Sequence, residues 1–199
     1  MNPISENLIV DFWTSFVEHQ LTYKKIIEGE TDLIDDILNK LKEIRRGLAV
    51  EFEKTEDLNI MTISADGVEE NFEIVENIVN KAPDILNWKI VAFRQPVNRD
   101  FIINVAGYEL DPKKLKFLPI VENSELYIQI FSEELTDENE KNIGYGCLML
   151  LDNLIGEYDC VKKVKGYEFY NTNDASDFVN DLLPLTQIRQ YLDTYYREK

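Results

Sequence analysis

Apolar side chains recur every three or four positions from Ser5 to about Glu28. Phe12, Phe16, His19, Tyr23 and Ile26 form one line, which Trp13, Val17 and Leu21 widen. This spacing predicts a long amphipathic helix. After the polar "GETD", Leu33, Ile34, Ile37, Leu38, Leu41 and Ile44 keep the helical period. Thr31 or Asp32 is placed to cap the start, and Gly47 to end it in the left-handed conformation. Residues 1–47 therefore read as a helical hairpin. The period then falls to two: Leu48, Val50 and Phe52 alternate with Ala49, Glu51 and Glu53, and "LNIMTIS" follows the polar "KTED", which predicts a strand hairpin. In "SADGVEENFEIVENIVNKAP" the helical period returns through Phe72, Val75, Ile78 and Val79. Asp66 and Glu69 are spaced like a capping box, and Pro83 lies past the end. An apolar strand, "WKIVAFR", follows.

Further strands are expected at "FIINVAG", "KFLPIV" and "ELYIQIF", with Pro119 placing the middle one at an edge or bulge. A helix is predicted from Thr136 to about Ile155, with Ile143, Cys147, Leu150, Leu151 and Leu154 on one face and acids in its first turn, where they complement the helix dipole. "CVKKVK" and "YEFY" read as strands, "NTNDASD" as a polar loop, and Pro184 opens a last helix through Tyr196. The stretches 52–93 and 126–169 both read strand, helix, strand, an architectural hint of duplication without a visible residue-level repeat. The expectation is one α+β domain over residues 1–199. It consists of the N-terminal helical hairpin (1–47), a mostly antiparallel or mixed sheet covered by two helices (48–170), and a C-terminal helix (184–199).

Composition changes this picture mainly through charge. The chain holds 38 acidic and 21 basic residues, a formal charge of -17, which repels phosphate backbones and anionic headgroups. Direct nucleic-acid binding and membrane binding are not expected. The densest acidic run, "SEELTDENE" from Ser132 to Glu140, reads as a solvated loop and helix start. No apolar run approaches the ~18 residues of a membrane span. The start "MNPISENLIVDFW" lacks the basic, apolar and small-residue order of an export signal, so a cytoplasmic protein is expected. Cys147 and Cys160 match no close-paired metal or redox spacing and read as reduced, partly buried thiols.

Candidate chemistry is sparse. The single histidine, His19, sits among aromatics on the first helix, which suits packing or partner contact better than proton transfer. "GYG" (Gly144–Gly146) lacks the strand and lysine of a phosphate loop and is expected to permit close helix packing. In "AFRQPVNRD", Arg94, Gln95, Asn98 and Arg99 gather donors beyond an apolar strand, where paired hydrogen bonds would hold an anion or a peptide carboxylate. The plainer expectation is a surface loop whose arginines pair with acids. In "LLDNLIGEYDC", Asp152, Glu157 and Asp159 would serve a hard divalent cation if the chain turned back at Gly156. In the plainer expectation Gly156 caps the helix, and Glu157 and Asp159 face solvent as the next strand begins. Lys162, Lys163 and Lys165, with Tyr167, would suit a basic nucleic-acid strand, but at a net charge of -17 a sheet face that compensates local acids is expected.

The motifs "FW", "ISADG", "AP" followed by "W" and "AFRQP", "AGYELDP" and "LLDNLIGEYD", spread from Phe12 to about Phe169, resemble those of a group of uncharacterised bacterial cytosolic proteins. That resemblance implies a bacterial, cytoplasmic, single-domain protein and assigns no catalytic residue. The leading expectation for function is a noncatalytic protein-binding module that needs no cofactor and offers an acidic surface to a basic protein partner. The alternative is a divalent-metal-dependent hydrolase built on Asp152, Glu157 and Asp159.

Overall fold

Alternation of helical and strand periods produces an α+β fold in the computed structural model, which describes residues 3–197. The chain divides into two compact units, the first through Arg94 and the second from Gln95, and its strands form three separate sheets.

The first unit opens with the expected hairpin, α1 (Pro3–Ile27) and α2 (Ile34–Ile44). Ile9, Phe12, Trp13, Phe16, Tyr23 and Ile26 are buried, whereas His19 is exposed, Val17 is 39% exposed and Leu21 is 80% exposed. The buried face of α1 is therefore narrower than the apolar pattern suggests. Neither Thr31 nor Asp32 caps α2; a 3-10 turn over Thr31–Leu33 leads into it without a side-chain cap. Gly47 does adopt φ +80°, but three residues past the helix, after Arg45 has already become extended. The strands β1 (Ala49–Lys54) and β2 (Asn59–Ser64) form the expected antiparallel hairpin. From β2 the chain passes through α3 (Phe72–Asn80) to β3 (Trp88–Ala92), which pairs parallel to β2. Both tryptophans serve this core. Trp13 donates its indole N–H to the Ile78 carbonyl at 2.8 Å, and the Trp88 ring meets Phe16 edge-on at 5.1 Å.

The second unit begins with a small hairpin, β4 (Ile103–Val105) and β5 (Tyr108–Leu110). The strands β6 (Lys116–Glu122), β7 (Glu125–Ser132), β8 (Gly166–Asn171) and β9 (Leu183–Pro184) form one sheet in the order β8-β7-β6-β9. β9 pairs only with Lys116 and Phe117, so Pro119 lies where β6 has β7 alone as a neighbour. The missing amide of Pro119 thus costs no ladder bond, in keeping with an edge position. Between β7 and the parallel β8 run α4 (Glu140–Ile155) and α5 (Glu157–Lys162), and α6 (Ile188–Arg197) closes the chain. The stretch "CVKKVK" is thus a helix end and turn, not a strand. Pro184 lies in β9, one 3-10 turn before α6. Gly144 and Gly146 do permit close packing: a Cβ on Gly146 would stand 2.2 Å from the Leu110 side chain, and one on Gly144 would stand 3.1 Å from the Phe169 ring.

Each unit contains the same supersecondary unit, a strand hairpin whose second strand continues through a helical crossover into a parallel neighbour. No described helix is long and apolar enough to cross a membrane.

Candidate functional site

The acidic run after β7 is more than a solvated loop. Its backbone is pinned from three sides. The hydroxyl of Ser132, itself buried, accepts the Glu134 amide at 3.2 Å. Asn139, also buried, accepts the Thr136 amide through Oδ1 and donates Nδ2 to the Glu134 carbonyl, both at 2.8 Å. Asn171, at the end of β8, donates to the Leu135 carbonyl at 2.7 Å and to the Glu133 carbonyl at 3.3 Å. With the peptide groups bound inward, Glu133, Glu134, Asp137, Glu138 and Glu140 are left exposed.

Glu133 and Glu134 line a recess of about 230 Å³ together with Glu109, Asp111, Lys114, Leu110, Leu115 and Ser132. Four carboxylates face one lysine there. Pinned in this way, the loop pays little ordering entropy on meeting a cationic partner, which favours binding over a mobile acidic tail. Charge along the sequence marks the run 132–140 but not Glu109 and Asp111, which the β4–β5 hairpin brings to the same hollow, nor the roles of the two asparagines.

A sequence signal for Asn139 exists. Ser64, Asp66, Glu69, Glu70 and Asn71 in the first unit have the spacing of Ser132, Glu134, Asp137, Glu138 and Asn139 in the second. The structure gives the matched serines the same role and the matched asparagines the same place. The Ser64 hydroxyl accepts the Asp66 amide at 2.8 Å, and buried Asn71 immediately precedes α3 as Asn139 precedes α4. Asn71 holds backbone as well, donating to the carbonyls of Arg46 and Gly47 and accepting from Arg45. Asp66, expected to cap α3, instead sits at φ +51° and accepts from the Arg94 guanidinium at 2.9 Å.

Arg94 also pairs with Glu51, so it is committed inside the first unit. This splits the expected donor set Arg94, Gln95, Asn98 and Arg99. Gln95 is an exposed residue of the second unit, and Asn98 and Arg99 line a different recess there, of about 740 Å³.

The carboxylates after Leu151 take unexpected positions. Gly156, at φ +87° and ψ 146°, ends α4 as expected, but α5 begins at once, and Glu157 is fully buried instead of facing solvent. A carboxylate in the first turn of a helix meets unpaired amides, the environment that suits it best. Asp159 is half-buried and forms an ion pair with Lys163 at 2.8 Å. Asp152 is half-buried beside Cys160. Among the described residues no group of three or more His, Cys, Asp or Glu side chains is arranged to hold a metal ion. Lys165 pairs with Glu125 at 3.3 Å, so of the three lysines at least two neutralise acids, as expected.

Nucleophilic chemistry finds little to use. Burial pushes the Cys147 thiol up to about 12. Burial, then the Asp152 charge, also raises the Cys160 thiol, and both cysteines are free. Neither provides thiolate at neutral pH. His19 donates Nδ1–H to the Ser15 carbonyl of its own helix at 2.8 Å and lies 6.1 Å from the Tyr23 ring. Arg189 donates to the Ile155 carbonyl at 3.1 Å, covering the end of α4, a role that sequence spacing did not reveal. Comparison with known proteins adds no assignment: no family model, no curated protein and no solved structure matches the chain.

Proposed function

We propose that the protein is a noncatalytic binding module that presents the acidic recess of its second unit to a basic segment of a protein partner. The observation that carries this reading is the convergence of Glu109, Asp111, Glu133 and Glu134 on one hollow, on a backbone held by Asn139 and Asn171. The net charge of -17 supports it by accelerating encounter with cations and excluding anionic competitors. Buried, unreactive thiols and a histidine bonded to its own helix supply no rival chemistry of comparable strength.

The test uses poly-L-lysine as the probe. Affinity should fall steeply with added salt, since exposed charges are screened over ~10 Å at about 0.1 M. Glu133→Lys with Glu134→Lys should weaken binding far more than Glu56→Lys with Asp57→Lys, which changes net charge equally at the exposed β1–β2 turn. Equal losses in the two double variants would refute the assignment to this recess.

A further inference from the structure

We propose that the larger recess of the second unit binds a carboxylate carried on an apolar body. Its volume of about 740 Å³ falls within the roughly 300–1,000 Å³ typical of small-ligand sites. Val97, Phe101, Ile102, Pro112 and Leu154 supply an apolar wall, as such sites require. Ile102 stands 49% exposed, an apolar surface in contact with water until something covers it.

The polar lining selects the charge of the ligand. Arg99 and Lys113 equal in number the acids Asp100 and Asp111, in a chain where acids otherwise outnumber bases almost two to one. The smaller recess has four acids against one base. The only charged residue at a third hollow, around Trp88, is Asp84. The large recess is therefore the one of these three where an anion meets no excess of negative charge. Asp100 binds the Lys113 ammonium, and Asp111 accepts the Lys113 backbone amide at 2.9 Å, so one acid of the lining is already paired with a lysine and the other with backbone. Arg99 brings the planar fork that matches a carboxylate in two parallel hydrogen bonds. Asn98 and the Thr186 hydroxyl add donors beside it. The loop that carries Asn98 and Arg99 is anchored where the Val97 amide donates to the Asn153 carbonyl at 2.7 Å.

Two kinds of molecule present this chemistry: the C-terminus of a peptide ending in an apolar residue, and a free hydrophobic acid. Titrations followed by protein NMR separate them, with N-acetyl-phenylalanine, its amide, 3-phenylpropionate and an acetylated tripeptide ending in phenylalanine as probes. The acid should bind at least about tenfold tighter than the amide, the ratio that one charge-assisted hydrogen bond supplies. Arg99→Gln should remove that preference, and Lys114→Gln, on the smaller recess, should keep it. Ile102→Asp, at an exposed position, should abolish acid binding and provides a second variant if Arg99→Gln folds poorly. Tighter binding of the tripeptide identifies a chain terminus, and tighter binding of phenylpropionate a free acid. Equal affinity for acid and amide, or no shift up to on the order of 10 mM, would overturn the proposal. Poly-L-lysine binding in the Arg99→Gln variant stays unchanged, which separates this test from that of the acidic recess.

Discussion

Gly146→Ala sets two known effects against each other at one atom. Gly146 lies inside α4, where alanine is favoured over glycine by about 1 kcal/mol. Propensity alone therefore predicts a more stable protein. Packing opposes it, because the new Cβ would stand 2.2 Å from Leu110 Cδ1 and 2.7 Å from Val105 Cγ1. Carbon atoms in good contact sit about 3.5–4.0 Å apart, so the leucine methyl must retreat by more than 1 Å. Leu110 is 2% exposed and packed into the main core of its unit, so displacing its methyl disturbs core contacts. Overpacking of this kind costs about 1–3 kcal/mol. The sum is a net loss of about 1 kcal/mol, and on this argument the packing term wins.

Urea denaturation followed by far-UV circular dichroism measures the difference. Gly146→Ala should lower the midpoint at unchanged slope, whereas Gly144→Ala, whose Cβ meets a ring edge at 3.1 Å, should be close to neutral. A double-mutant cycle isolates the clash. Leu110→Ala alone costs about 2–5 kcal/mol, but it removes the closer of the two clashes and leaves only Val105 Cγ1 at 2.7 Å, so Gly146→Ala should cost less in that background than in the parent. A Gly146→Ala protein more stable than the parent would refute the reasoning, as would strict additivity in the cycle. Leu110 lies between Glu109 and Asp111, so the same substitution should also weaken poly-L-lysine binding although it touches no charge.

Three further outcomes follow from buried groups. Asn139→Ala removes the partners of the Thr136 amide and the Glu134 carbonyl and should cost about 2 kcal/mol by urea denaturation, together with a loss of poly-L-lysine affinity. Gly156→Ala forces a side chain onto φ +87° and should cost about 1–3 kcal/mol by the same assay. The raised thiols of Cys147 and Cys160 mean that the folded state holds their protons more tightly than the unfolded chain does. Their stabilising effect is complete below the ordinary thiol value of 9.0 and declines as pH rises from there toward about 12. Between those limits stability should fall by about 1.4 kcal/mol per pH unit for each thiol, and Cys147→Ala should reduce the slope.

Long periodic segments were legible because burial is their cause: α1, α2, α4 and the strands β1, β2, β3, β6, β7 and β8 all lie where the apolar spacing puts them. The failures share a different origin. "CVKKVK" alternates like a strand, yet helical geometry lets Glu157 and Cys160 turn inward together while Lys162 faces solvent. Gly156 was legible as the end of α4, but nothing in the local pattern reports that α5 starts at the next residue and buries Glu157. Asp66 and Glu69 carried a capping signal, but a long-range partner, Arg94, competed successfully for the carboxylate. The acidic recess joins residues more than 20 positions apart, and no local pattern reports that Glu109 and Glu133 share a hollow.

The repeated spacing shows where the two units diverge. Ser64 and Ser132 end their central strands; level with them stand Phe93, the residue after β3, and Asn171, the last of β8. One residue further stands Arg94 in the first unit and Thr172 in the second. Arg94 reaches back to the turn and ties down Asp66, whereas Thr172 carries no charge with which to do the same to Glu134. The shared serine holds the start of the turn in both units, the asparagine holds the turn only in the second, and a cation at this one position ties down Asp66 in the first unit alone. Thr172→Arg should transfer the first unit's arrangement to the second: equal or higher stability by urea denaturation, with poly-L-lysine affinity reduced several-fold. Retention of full affinity in a folded Thr172→Arg protein would mean that the carboxylates of this turn are not the ones the probe reads.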